Sequence, residues 1–332
     1  MSITNKSNTI STSPTLALLK GEGIIGTSYA TPILFLIFNR PDTTQKVFEK
    51  IMAIKPTKLY LAVDGHRLHK AGEYEKCEQV KQLILNNIDW ECEVKTLFRT
   101  ENIGCKLAVS QAINWFFEHE EQGIILEDDC VPDLSFFDFC AQLLEFYKFD
   151  DKVMHIGGNN FQNGIKRGDG SYYFSNLNHI WGWATWKRAW KKYDIELKKW
   201  KIFRNSDKFS CLFPDKKIIN YYDNLINQVI DNQFDTWDVQ WTASIWINDG
   251  ISILPNNNLV SNIGFGSDGT HTKNVKSKMS NISTNPIKLP LKILTNILVD
   301  NKADTFFYKN FIYISTFATV KYKIKTLLRK IL

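Results

Sequence analysis

Several things are missing from this 332-residue chain, and each absence removes a class of protein. No apolar run approaches the ~18 residues needed to cross a bilayer, so no transmembrane helix is expected. The six cysteines (Cys77, Cys92, Cys105, Cys130, Cys140 and Cys211) include no CxxC pair, and no His/Cys cluster has zinc spacing. With no disulfide pattern and no signal peptide, reduced thiols in a cytoplasmic protein are expected. No GxGxxG follows the first apolar run, which leaves a Rossmann dinucleotide site unsupported. No GxxxxGK followed by Ser or Thr is present, which argues against a P-loop. No internal repeat of about 20–50 residues points to a solenoid. The net charge of +6 is modest and lies largely in Arg188–Lys201 and at the C-terminus. That argues against nucleic acid as the partner and leaves an anionic substrate or an anionic membrane surface.

What is present suits one large or two modest domains. The apolar fraction of 44% is enough for a sizeable core, and ten tryptophans and twenty-two phenylalanines serve core, interface or sugar stacking. One stretch organises the rest: Gly123-Ile124-Ile125-Leu126-Glu127-Asp128-Asp129-Cys130. A short apolar run bounded by turn signals reads as a buried strand of a parallel sheet. Three carboxylates at its end repel one another unless something positive sits there. A divalent metal carrying a diphosphate answers that need, because Mg²⁺ and Mn²⁺ take carboxylate and phosphate oxygens.

The neighbouring segments repeat the pattern. Residues 1–30, rich in Ser, Thr and Gly, read as a flexible leader. Ile33–Phe38 is an apolar run ending in Asn39-Arg40-Pro41-Asp42, with Asp42 or Thr43 placed to cap a helix over 43–54. Lys58–Val63 is a second strand, ending in Asp64-Gly65, and a helix is expected over 71–87. Glu93–Phe98 is a third strand ending at Arg99. Asn102-Ile103-Gly104 then turns into a helix over Lys106–His119. This βαβαβαβ series predicts an α/β fold with a doubly wound, mostly parallel sheet and helices on both faces. Parallel strands point their polar ends to one edge, so Arg40, Asp64, Arg99 and the acidic triplet converge on one crevice.

Beyond Asp129 a helix is expected over 134–148, a strand at Val153–Gly158 and a Gly/Asn-rich loop over 157–170. His179–Trp186 precedes a basic helix at Lys187–Lys192. Further helices are expected over 215–231 and from Trp237 to Asn248, with a strand at Ile251–Leu254. The tail, 286–332, is Lys- and aromatic-rich. Its end, Phe317–Leu332, reads as a basic amphipathic helix, either lying peripherally on the inner face of a membrane or packed on the body.

Taken in order, FNRP at 38–41, VDG at 63–65, ENIGC at 101–105, ILEDDC at 125–130, WGWATW at 181–186 and WDVQW at 237–241 resemble the nucleotide-sugar glycosyltransferases of the GT-A fold. More narrowly they resemble bacterial relatives of the N-acetylglucosaminyltransferase I type, over roughly residues 31–275. The resemblance implies a nucleotide-sugar-binding half at 31–130, an acceptor-side and catalytic-base half at 131–285, and an inverting transfer assisted by Mn²⁺ or Mg²⁺. It implies Asp129 as direct metal ligand, Asp128 near the ribose, Glu127 in support, and Asn39, Arg40 and Asp64 at the nucleobase and ribose. It also implies Asp238 as catalytic base and His271 near the diphosphate or metal.

The chemistry wants these groups. The departing diphosphate gains charge, which a metal and fixed cations such as Arg99 and Lys106 would stabilise, or the helix N-terminus at Gly104 in their place. The acceptor hydroxyl must lose a proton to a carboxylate. Trp237 and Trp241 would desolvate Asp238 and raise its pKa, although an Asp there also reads as a helix cap. Of Trp181, Trp183 and Trp186, each is core or a platform for a sugar face, with Trp183 the one placed in the donor site. His155 and His179 read as structural. Asn159 and Asn160 either contact sugar or make a turn. The expected partners are a UDP-sugar and a glycan or lipid-linked acceptor, in surface polysaccharide or glycoconjugate synthesis. A sugar nucleotidyltransferase, a glycan-binding module without catalysis, and a retaining transferase remain as alternatives.

Overall fold

The computed structural model describes residues 29–266 and 277–313. The leader up to residue 28, His271 and the segment Phe317–Leu332 lie outside the described residues.

The first half runs β1 (Ile33–Ile37), α1 (Pro41–Ile54), β2 (Lys58–Val63), α2 (Glu73–Leu85), β3 (Glu93–Phe98), α3 (Cys105–His119) and β4 (Gln122–Glu127). The second half adds β5 (Cys130–Pro132), α4 (Ser135–Phe146), β6 (Val153–Gly157), β7 (Tyr172–Ser175) and β8 (Trp183–Trp186). Three short helices follow: α5 (Lys187–Trp190), α6 (Trp200–Phe203) and α7 (Asp207–Ser210). Then come α8 (Lys216–Ile230), α9 (Asp238–Ile247), β9 (Ile251–Pro255), β10 (Val260–Asn262) and α10 (Asn301–Phe307), which ends in a π-helical turn over Tyr308–Tyr313.

Eight strands form one sheet in the order β3-β2-β1-β4-β8-β6-β9-β7. β3, β2, β1 and β4 are mutually parallel, β6 and β9 pair in parallel, and β8 and β7 run antiparallel to their neighbours. The fold is the expected α/β layer arrangement. β1 shows why: all five of its residues are buried, and they alternate between two cores. Ile33, Phe35 and Ile37 pack with α1, α2 and α4 on one face. Leu34 and Leu36 pack with α3, α9 and the tryptophans on the other.

The order reverses between β1 and β4: β2 and β3 lie to one side of β1 and the later strands to the other. The carboxyl ends of β1 and β4 therefore flank a topological switch point, where open α/β sheets place ligands.

Two details differ from expectation. α1 begins at Pro41, because proline at the first position is pre-set for a helix and lacks a donor there. Arg40, in the cap position, makes no side-chain cap bond; the Thr44 hydroxyl donates back to the Arg40 carbonyl at 2.7 Å. The basic run is partly structural: the Arg188 guanidinium lies 4.3 Å over the Trp186 ring and donates to the carbonyls of Tyr147, Lys148 and Val153.

The two sheet edges are protected in different ways. β3 is partly exposed and carries Glu93 and Lys95, charges that discourage edge pairing. β7 is fully buried, covered by the chain leading to α10: Val299 bridges to Phe174, and the Ser171 amide donates to Lys292. Among the described residues no helix is long and apolar enough to cross a membrane.

Candidate active site

The turn after β1 delivers Arg40 to the end of β4. Its Nη1 donates to Asp129 Oδ2 at 2.8 Å, and Nη2 donates to Asp128 Oδ1. The Phe38 amide donates to Asp128 Oδ2 at 3.1 Å. The Asp128 and Asp129 side chains are only 3% and 8% exposed, against 21% for Arg40. Removing such carboxylates from water costs several kcal/mol each, which the two-pronged guanidinium contact offsets. Burial still pushes Asp128 up to about 6, against the opposing pull of Arg40. Burial, then Asp129 and Asp128, raise Glu127 well above the usual carboxylate range, and its Oε1 is buried with no hydrogen-bond partner among the described residues.

The two-stranded ribbon of β5 and β10 closes the other side. It brings Asn262 to Asp129, Nδ2 donating to Oδ1 at 3.3 Å. A Cβ at Gly264 would come within 1.9 Å of Asp129 Oδ2, so only glycine allows the backbone this close. The oxygens of Asp128 and Asp129 fit a hard divalent cation, which uses one or two carboxylates together with phosphate and water. Arg40 now occupies two of those oxygens. Among the described residues there is no cluster of three or more metal-binding side chains.

β2 ends in Asp64, whose carboxylate grips the 101–104 turn. It accepts from the Asn102 amide at 2.9 Å, the Ile103 backbone N–H at 3.3 Å and the Gly65 N–H at 3.0 Å. Burial raises its pKa. A Cβ at Gly65 would lie 2.2 Å from the Glu101 carbonyl carbon, so this turn needs glycine beneath it. Arg99 faces the same crevice with Leu36, Ala62, Asp64 and Val109, and its Nη2 donates to Gln111. The Asn39 amide donates to Glu73 of α2 at 2.8 Å, a carboxylate also paired with Arg67.

Two expectations change here. The helix N-terminus at Gly104 is taken by a carboxylate of the protein itself, since Asp235 accepts from the amides of Cys105 and Lys106 at 2.9 and 3.2 Å. Trp183 is core. It is fully buried, with one face on His155 (centroids 5.0 Å apart) and the other on Trp237 (5.6 Å), so neither face is open to a sugar. Trp186 is also buried, its indole N–H held by the Leu144 carbonyl. Of the three, Trp181 is the one left partly exposed, its ring edge-on to Phe161 and Phe265.

Asp238 opens α9, with Trp237 in the cap position and making no side-chain cap bond. Its carboxylate accepts the Thr236 hydroxyl. Trp237 and Trp241 lie within the aromatic cluster around Trp183. Asp238 is near enough to Glu127 for its charge to help raise that group. The half-buried Cys105 thiol is raised by burial first, then by the charges of Glu127, Asp238, Asp235 and Asp64.

His155 is buried and pushed down to about 3, its Nδ1 accepting from Trp241 and its Nε2 facing the His179 carbonyl. Burial likewise takes His179 to about 3. The side-chain amides of Asn159 and Asn160 donate to the carbonyls of Val260 and Pro255 and hold their turn. Asp235, Thr236 and Asn262 escaped the sequence reading, and Asn102 was read there only as part of a turn and a motif. Each acts across a long sequence gap or through one hydroxyl, and only the Asp-Thr-Trp-Asp run at 235–238 carried a local hint.

No family model and no curated protein matches the chain. Among solved structures it is similar to the mannosyltransferase PcManGT from Pyrobaculum calidifontis, in complex with GDP-Man and Mn²⁺, at 11% identity and a TM-score of 0.33. That match covers 52% of this chain and 49% of the other, so the chain spans about half of that protein's length. It is similar to HddC from Yersinia pseudotuberculosis at 13% identity and a TM-score of 0.31, covering 48% of this chain and 77% of that one. HddC complexed with GMP-PN aligns at 12% identity and a TM-score of 0.30, with the same coverage.

Proposed function

We propose that this protein is an inverting glycosyltransferase that takes a sugar from a nucleotide diphosphate, a UDP-sugar in the first instance, to a glycan or lipid-linked acceptor. One observation carries the reading: buried Asp128 and Asp129 meet Arg40 at the switch point, and Asp238 lies within electrostatic reach of the same cluster. The ordered motifs that resemble GT-A enzymes fall on these positions.

In this reading Asp64 and the 101–104 turn receive the nucleoside. Arg40 sits where a diphosphate would need positive charge. Asp129 and Asp128 hold a divalent cation, Mn²⁺ or Mg²⁺, which supplies charge to stabilise the leaving diphosphate. Arg99, at the mouth of the same crevice, adds a fixed cation. Asp238 takes the proton from the acceptor hydroxyl as it attacks the anomeric carbon, and Thr236 fixes the orientation of that carboxylate. One carboxylate base acting opposite the leaving group gives inversion in a single displacement.

The test is a screen of nucleotide sugars for Mn²⁺-dependent hydrolysis or transfer, followed by NMR of the product anomer. Asp238→Asn and Asp129→Asn are expected to lose at least about a hundredfold in turnover while remaining folded. Normal turnover in either variant refutes the assignment, and retention of configuration refutes the single displacement.

A further inference from the structure

Between α8 and α9 the chain crosses from the outer helices to the site through Asp231–Thr236. Residues 231–235 are all exposed, and the amides of Asp231, Asn232 and Gln233 bond back to the end of α8. Burial resumes at Trp237. In this exposed stretch Asp235 makes a contact unlike the rest: its two carboxylate oxygens accept from the Cys105 and Lys106 amides, about 130 positions earlier in the chain.

The other side is shaped to receive it. α3 has no acidic residue in its first turn and no side-chain cap of its own. Gly104 has φ +82°, and a Cβ there would come within 2.8 Å of Asp235 Oδ2. The first turn of a 15-residue helix, with its unpaired amides and positive dipole end, thus takes its carboxylate from the far half of the chain. The same turn is gripped from the nucleotide side, where Asp64 accepts from Asn102 and Ile103. On the other side of Asp235, the Thr236 hydroxyl donates to Asp238 and the Gln240 amide donates to the Thr236 carbonyl.

We infer that Asp235 is a positioning residue: it fastens the loop carrying Asp238 to the first turn of α3 and so fixes the base opposite the donor-side carboxylates. The inference rests on the proposed role of Asp238. The link runs Asp64, turn 101–106, Asp235, Thr236, Asp238, so one six-residue turn joins the donor half to the acceptor half. Asp235 touches no reacting atom in this scheme.

The experiment compares Asp235→Ala and Asp235→Asn with Asp215→Ala, which removes an equivalent cap from α8, where Asp215 accepts from the Lys217 amide. Asp235→Ala is expected to lower kcat tenfold or more while the KM for donor moves less than threefold. Asp235→Asn, still a good cap but with one acceptor oxygen in place of two, is expected to recover most of that loss. Asp215→Ala is expected to lower stability and leave kcat unchanged. If Asp235→Ala changes only the unfolding temperature, as Asp215→Ala does, Asp235 is a cap and nothing more, and the inference fails. Amide hydrogen exchange supplies a readout without substrate: residues 235–242 are expected to exchange at least tenfold faster in Asp235→Ala, and unchanged exchange also overturns the inference. Should the wild type transfer no sugar while exchange rises as expected, the tether stands and the assignment of Asp238 falls. Should the alanine variant not fold, the asparagine variant carries the same kcat and exchange comparison.

Discussion

Replacing Arg40 with methionine tests the electrostatic reading of the site directly. The side chain keeps its length and apolar stem, but two carboxylates with 3% and 8% exposure lose their counter-charge. Breaking a buried pair costs about 3–5 kcal/mol, and the low end applies because Arg40 keeps a fifth of its side chain in water. The loss depends on pH, and its sign follows from Asp128. Folding raises that carboxyl from 3.8 to about 6, so near pH 8 it is charged, and near pH 5 it is largely protonated in the folded chain. Without Arg40 its pKa rises further, and at pH 8 the variant must bury a bare charge or take up a proton, at about 1.4 kcal/mol per unit. Arg40→Met is therefore expected to lose about 3 kcal/mol at pH 8 and about half that at pH 5, by urea unfolding. The double variant with Asp128→Asn is expected to lose at least about 1 kcal/mol less than the sum of the two single losses. Equal losses at both pH values, or strict additivity, would show that Arg40 does not neutralise this cluster.

Three further outcomes are expected. Trp183→Ala should cost about 3–5 kcal/mol in chemical denaturation, because it empties the space between His155 and Trp237, and Trp183→Phe should cost clearly less; a neutral alanine variant would return Trp183 to the donor site. Asp304, 2% exposed, accepts from the Ser175 hydroxyl and the Asn176 amide, and burial lifts it to about 7. Between about pH 4 and 7 the folded chain binds this proton and the unfolded chain does not, so this group's contribution falls as pH rises. Asp304→Asn is then expected to remove up to about 4 kcal/mol of that decline, read as the difference between the two stability–pH curves; parallel curves would refute it. If the cation site is as proposed, Mn²⁺ at a hundredfold excess over its Kd should stabilise the wild type by about 2.7 kcal/mol and Asp129→Asn by far less.

The first four strands were legible because each is a short apolar run closed by a polar signature, and their observed bounds agree within a residue or so. β7 was hidden by its length and its setting: four residues, Tyr172–Ser175, directly after a Gly-rich stretch. β5 and β10 have three residues each, too few for a period to appear, yet their ribbon is what puts Asn262 on Asp129. The acidic triplet and Arg40 were legible as members of one crevice, but not as partners, because pairing depends on the rotamer chosen at the end of β1. Trp183 failed as a sugar platform for a general reason: composition counts aromatic rings but does not say which faces are already covered. The bond from the Asn39 amide to Glu73, 34 residues away, was likewise not legible in the sequence.

The passage from Ile287 to Phe311 has a practical consequence for anyone shortening this chain. Ile287 and Leu291 plug one core, Phe307, Tyr308 and Phe311 plug the other, and the backbone between them seals the last strand. A cut ahead of Ile287 would open both hydrophobic layers to water and leave the β7 edge free to recruit a strand from a neighbouring molecule. Shortened versions meant for crystals or assays should therefore retain everything through Tyr313.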